Sequence, residues 1–479
     1  MPAAKTPTVK NLEALGAARL AELLIAIGAG DPAIKRRLRL ELAGQAGAAD
    51  AAREIQKRLS TLAKSTSYIE WNRIKPLSDD LTAHHRAIVD VVAKADPRQA
   101  LDLLWRFMEL VDPIMSRCDD SNGRLASLFR SAAEYLAPLA VAAEVGPDEL
   151  ARNVFGALHG NGYGQFDDLI ADMAGALGPS GLASLKQRFV DWGKEAPEQP
   201  AQHERRIVGY GAGGPLYADQ LEASHRDYTI QSALRDIADA EDDVDGFIAQ
   251  HGAEARRAPA IAVEIAGRLL KAGRADEALA ALEAVDRKRL GWAAFDWQQG
   301  RLDALDALGR IDDAQAFRWT CFAETLESRH LRAHLKALPD FDDIEAEERA
   351  MALALGFPDV HGALNFLIAW PALDRANALI LARFDELNGD FYELLAPASE
   401  ALDVRYPLAA TLIRRAMIDF TLTAARSKRY PHAARHLADC GADAVRIDDF
   451  GQHPTHEDYQ LKLKTEHGRK VAFWQSVHA

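Results

Sequence analysis

Basic side chains crowd one stretch near the C-terminus of the sequence. Arg426, Lys428, Arg429, His432, Arg435 and His436 fall in a helix–turn–helix pattern, and Arg469 and Lys470 follow later. From Arg405 to Gln475 twelve Lys and Arg stand against eight Asp and Glu, a local +4 in a chain whose formal charge is −14. His432, Arg435 and His436 are spaced to share one face of a helix. Such a patch suits an acidic partner, a phosphate or a nucleic acid. A structural alternative competes with it: cations at the last turn of a helix compensate its dipole, and the others pair with the acidic bulk of the chain. Nucleic-acid modules usually show a larger basic excess, which favours the structural alternative.

The remaining constellations are weaker. In the acidic run DAEDDVDG at 239–246, Glu241, Asp243 and Asp245 match positions one, three and five of a calcium loop, with Gly246 at six. Position twelve is then Gly252, where a bidentate Glu is required, so a solvated turn between helices is expected instead. The cluster GYGAGG at 209–214 lacks the Lys-Ser/Thr of a phosphate loop and follows no apolar strand. It is expected to be a connector, and HGNGYG at 159–164 a turn. Asp119, Asp120, Ser121 and Asn122 precede an apolar helix starting near Leu125, where capping accounts for them. His84-His85 has no partner at HExxH spacing, and His453 and His456, close to Glu457 and Asp458, lack the further ligands a metal needs. Cys118, Cys321 and Cys440 form no CxxC pattern, and so sparse a set suggests a reducing compartment. With no GxSxG, no activated Cys and no linked carboxylate pair, no catalytic residue, metal or cofactor is expected. A scattered site assembled by folding stays open.

What must position any of these residues is a set of helices. Apolar residues make up 48% of the chain and aromatics only 7%, so Ala, Leu, Ile and Val carry the core, which suits close helix packing. The acidic balance argues against wholesale coating of nucleic acid or an anionic membrane. No run of about 18 apolar residues occurs, and Met1–Lys10 has no apolar core of signal-peptide length, so a cytoplasmic protein without a membrane span is expected. Apolar periodicity predicts helices over 11–27, 33–45, 50–63, 79–94, 97–116, 121–144, 147–158, 166–177 and 180–193. Asp31-Pro32, Asp96-Pro97 and Gly178-Pro179-Ser180 punctuate them. Residues 194–216 are rich in Gly and Pro, among them Pro197, and read as a linker; helices resume near Ala218 and run to about Leu437. Strand signals are nearly absent.

The string GRADEA at 273–278 returns as GRIDDA at 309–314, an offset of 36. That is close to the period of about 34 residues in tetratricopeptide-type helix pairs. Ala262, Ile265, Leu269 and Leu270 precede the first copy on one helix face; Leu302, Leu305 and Leu308 precede the second. Small residues at close crossings with large ones beside them are what stacked helical hairpins need.

Several strings together resemble a known family: SYIEW at 67–71, LDLLWRFMELVDPIMSRCDDSNG at 101–123, YPLAATLIRRAMIDFTLTAARSKRYPHAARHLADC at 406–440 and HGRKVAFW at 467–474. The set is similar to an uncharacterised family of bacterial all-helical proteins, a domain of unknown function. It is also similar to the helical region that accompanies SWIM-type zinc fingers. The CxC and CxH pairs of a SWIM finger are missing, so zinc binding does not carry over. The resemblance implies a helical fold and an interaction platform, and it transfers no catalytic residue.

The expected fold is all-α: a helical-hairpin array, tetratricopeptide-like or α-solenoid, behind an N-terminal helical domain. The expected division is a helical domain over 1–195, a Gly/Pro-rich connector over 196–217, a helical-repeat region over 218–404 and a basic module over 405–479. Phe473 and Trp474 are expected to anchor the last helix against 406–440. The expected function is that of a cytoplasmic scaffold or adaptor without catalysis, holding a protein or peptide in a helical groove. The alternative is a nucleic-acid accessory protein acting through the basic module.

Overall fold

The computed structural model describes residues 6–196, 200–201, 203–211 and 213–478. Met1–Lys5 of the N-terminal stretch, Pro197 of the connector and Ala212 of GYGAGG lie outside the described residues. The chain forms two compact units, Met1–Arg256 and Arg257–Ala479. Among the described residues the fold is all-α apart from one small hairpin and an isolated bridge between Ile69 and Cys118.

In the first unit the predicted caps are in place. Asp31 accepts from the N–H groups of Ala33 and Ile34 and starts the helix Pro32–Ala46 with Pro at its first position. Asp120 accepts from Leu125 N–H at 3.0 Å and Ala126 N–H at 2.9 Å, capping Arg124–Ala133. The helices expected over 97–116 and 121–144 are each broken in two. Pro97–Met108 is followed by Val111–Met115, and Arg124–Ala133 by Leu136–Ala142. Pro113 and Pro138 explain both breaks. A proline ring displaces the carbonyl four residues before it, which puts the two breaks at Glu109 and Glu134. Leu169–Lys194 is interrupted at Gly178, whose φ of 57° and ψ of −178° are not helical, as the Gly-Pro-Ser punctuation predicts. The helix expected over 79–94 starts earlier, at Trp71, and passes through a π turn at Ile88–Val92. One continuous core runs through this unit, with Phe107, Phe129 and Phe189 fully buried.

The stretch expected to be a bare linker contains structure. Ile207–Gly211 pairs antiparallel with Gly214–Tyr217, and Arg205 lies 3.9 Å above the Tyr217 ring while bonding Asp219. The glycines that weaken a strand signal, Gly209, Gly211 and Gly214, are here part of the ladder. The helix that follows, Ala218–Ala240, packs on Leu169–Lys194. The acidic run after it forms no calcium loop: Asp243 caps Val244–Ala249, and Lys186 pairs with Glu241 at 2.8 Å.

In the second unit the GRADEA and GRIDDA turns are built alike. Gly273 and Gly309 take φ of +73° and +68°. Arg274 N–H reaches back to Leu269 O at 2.8 Å, and Arg310 N–H to Leu305 O at 2.9 Å. Each Arg also bonds the acid three residues on, Glu277 and Asp313, at 2.7 Å. These are helix stops that only a left-handed residue closes without strain. Pro259–Lys271 packs on Ala275–Glu283 and on Ala294–Ala307. Further along, Val360–Ala369, Leu373–Arg383, Tyr392–Asp403, Pro407–Thr423 and Tyr430–Ala444 each pack on the next.

Candidate peptide groove and basic surface

Val360–Ala369 and Tyr392–Asp403 are neighbours, and between them lies a groove of about 590 Å³. Ile368, Leu394 and Pro397 give it an apolar wall, and His361, Asn365 and Glu393 give it polar edges. At one end the His361 ring stacks 4.6 Å from Phe391, and its Nε2 accepts from Asn388 N–H at 2.9 Å. Phe391 and Tyr392 are both exposed there. Gly389 lets this corner lie directly on Pro407–Thr423, since a Cβ at that position would collide with the Ala416 carbonyl oxygen.

The basic residues meet the groove at that corner. Arg429 donates to Asp390 at 2.7 Å, and its guanidinium lies 4.5 Å above the Tyr392 ring. The structural alternative holds for Arg429. It does not hold for Arg426 and Lys428, exposed in the turn, or for Arg435 on the outer face of Tyr430–Ala444. These three make no side-chain hydrogen bond or ion pair among the described residues. None of them lies in the last turn of Pro407–Thr423, so dipole compensation does not account for them.

His432 is exposed beside Arg435. His436 is half-buried, and burial lowers its pKa, so it stays neutral near pH 7 and leaves the cationic face. Arg469 and Lys470 lead into Val471–Val477, where Phe473 sits 6.0 Å from Tyr430. That contact sets them at the Tyr430 end of Tyr430–Ala444, the end that carries Arg426, Lys428 and Arg429.

Sequence reasoning passed over two arginines inside the apolar string LIRRAMI. Arg414 and Arg415 are both buried. Arg414 pairs with Asp443 and lies 3.4 Å from Asp403, and Arg446 bridges the same two carboxylates. Arg415 donates to Pro454 O at 2.8 Å and lies 4.5 Å above the Tyr459 ring. A helix whose apolar stripe would bury two adjacent arginines is the signal that could have found them. They tie the C-terminal segments to the groove's supporting helix, and the exposed cations stand on that frame.

Burial pushes the Cys440 thiol up to about 12 and the Cys321 thiol up to about 11. His453 lies edge-on to Phe384, His456 bonds Gln460, and His84 bonds the Asp80 carbonyl. Among the described residues no three His, Cys, Asp or Glu side chains gather as metal ligands, and no helix is long and apolar enough to cross a membrane.

A family model described as a family of unknown function (DUF6880) matches residues 2–476. No curated protein and no solved structure matches the chain. The match accords with the resemblance to an uncharacterised family and adds nothing to the likeness with SWIM-associated regions.

Proposed function

The chain belongs to the family of unknown function DUF6880, and from the geometry of its second unit we propose that it is a helical interaction scaffold, without chemistry of its own, that takes an acidic peptide segment of a partner protein. The observation that carries this reading is the junction at Arg429. That side chain joins the end of the apolar groove, through Asp390 and Tyr392, to a turn whose Arg426 and Lys428 side chains have no partner among the described residues. An extended or helical segment lying in the groove would bury apolar side chains against Ile368, Leu394 and Pro397 and carry its carboxylates onto the turn. The same features support stacked helical hairpins as the architecture, because the Gly-Arg turns repeat and Pro259–Lys271, Val360–Ala369 and Leu373–Arg383 each also touch the next helix but one. A reducing interior such as the cytoplasm suits the three free thiols.

Peptide display against the intact protein tests this, with the selected peptides measured by fluorescence polarisation. Enriched peptides should combine Asp or Glu with Leu, Phe or Trp. The double variant Arg426→Glu/Lys428→Glu and the groove-filling Ala369→Trp should each weaken them by about tenfold or more. Failure to enrich any acidic peptide, or affinity unchanged in both variants, contradicts the proposal. Tighter binding of a single-stranded oligonucleotide, falling steeply with salt, would shift the assignment to nucleic acid.

A further inference from the structure

A second cluster of arginines lies in the first unit, far in sequence from the groove. Pro32–Ala46, Ala48–Ala63, Trp71–Ala87 and the SYIEW segment enclose a cavity of about 500 Å³. Arg36, Arg58, Arg73 and Arg117 all line it. Their charges are unequally compensated. Asp80, whose side chain is only 7% exposed, accepts from Arg58 Nε at 2.7 Å and Nη2 at 2.6 Å, both on one carboxylate oxygen. Arg36 stands 3.7 Å from the other Asp80 oxygen, and its buried Nε has no hydrogen-bond partner among the described residues.

Arg117 is held by neutral acceptors: Pro113 O at 2.6 Å, Ser67 O at 2.7 Å and Ser65 Oγ at 3.2 Å. It has no carboxylate partner among the described residues, and Arg73, exposed at the rim, has none either. Of the three carboxylates in the lining, Asp80 is shared by Arg58 and Arg36, and Asp31 caps a helix, which leaves Glu70 for Arg73 and Arg117. His84 behind Asp80 adds no charge at neutral pH, because burial lowers its pKa. The cavity therefore keeps guanidinium charge that the protein does not neutralise, inside a chain of net −14.

At its mouth one aromatic ring faces solvent: Tyr68, which lines the cavity, is 61% exposed. The backbone does not leave this segment free, since Ile69 N–H bonds Arg117 O at 2.8 Å and fixes the stretch of chain that carries this ring. Planar forks suited to phosphate oxygens beside an exposed ring suited to stacking make one recognisable combination. The volume falls within the range of about 300–1,000 Å³ that small-molecule sites occupy.

We propose that this cavity is a binding site for a mononucleotide-sized organic phosphate, its phosphate held by Arg36, Arg73 and Arg117 and its planar ring stacked on Tyr68. The inference is independent of the groove, so either can fail without the other.

Calorimetric titration of the full chain with AMP, inorganic phosphate and adenosine tests it. AMP should bind at one site, at least about tenfold tighter than phosphate or adenosine alone. Arg73→Ala should weaken both AMP and phosphate, while Tyr68→Ala should weaken AMP about tenfold and leave phosphate unchanged. Both side chains are exposed and unpaired, so the variants should melt with the parent protein, which separates lost binding from lost folding. Absence of AMP binding at millimolar concentration, adenosine binding as tightly as AMP, or AMP affinity unchanged in either variant would overturn the proposal.

Discussion

Ala425 carries φ of +51°, and Arg426 N–H behind it bonds Thr421 O at 3.0 Å, the same closure that Gly273 and Gly309 make. A left-handed alanine costs about 1 kcal/mol that glycine does not. Ala425→Gly should therefore raise the melting temperature, and Gly273→Ala or Gly309→Ala should lower it. No atom lies within 4 Å of a Cβ at either glycine, so the loss would come from backbone strain alone. Equal melting temperatures for all three variants would contradict this. The turn that sets Arg426 on the surface was thus illegible as a turn of the Gly-Arg kind, because its signature residue is missing. Its cations were legible, but which of them lacked a partner was not, since that depends on Asp390, distant in sequence.

Histidine burial also acts at this scale. Burial lowers the pKa of His84, His85, His330, His334, His436 and His456. As pH falls below about 6.5 the unfolded chain takes up protons that the native state refuses, so stability declines with acid and is fully present above that pH. Melting temperature should be flat between pH 7 and 8 and fall steadily from pH 6.5 to 5. A rise over that acid range would run against the buried, neutral state of these rings.

Among the helices, existence was readable from apolar periodicity, and ends were readable wherever a cap or Gly-Pro pair marked them. The helix expected over 11–27 is two, Val9–Glu13 and Ala17–Gly30, parted at Gly16 with φ of +80°, and two further breaks trace to particular prolines. Pro113 and Pro138 sit inside continuous apolar stripes, so the stripe predicts one helix while the ring dictates two. The hairpin Ile207–Tyr217 was missed for a related reason: its glycines read as a linker and only pairing turns them into a ladder.

The last helix, Val471–Val477, was legible as an anchor. Phe473 is 0% exposed against Tyr430, and Trp474 Nε1 donates to His467 O at 3.1 Å. Phe473→Ala should cost about 3–5 kcal/mol. Deletion of 466–479 should lower the melting temperature by several degrees, and an unchanged transition would show that this helix does not secure Tyr430–Ala444.

For the molecule as a whole, net charge and local charge point in different directions. A chain of −14 repels polyanions at long range, yet its second unit exposes unpaired cations beside an apolar groove. An acidic peptide with apolar anchors satisfies both facts, because short-range contacts in the groove add to a few local charge pairs. A polyanion gains the charge pairs alone and meets the acidic remainder. Nothing in the sequence brought the groove together with the cations. That needed Gly389 against Ala416 and Arg429 against Tyr392, contacts between segments that no local pattern relates.

Affinity purification from the native cells, with and without nuclease, tests the scaffold claim most directly when the parent protein is compared with Arg426→Glu/Lys428→Glu by mass spectrometry. The account predicts a discrete set of partner proteins bearing acidic segments, unaffected by nuclease and lost from the variant. Identical partner sets from both proteins, or partners that depart with the nucleic acid, would contradict it.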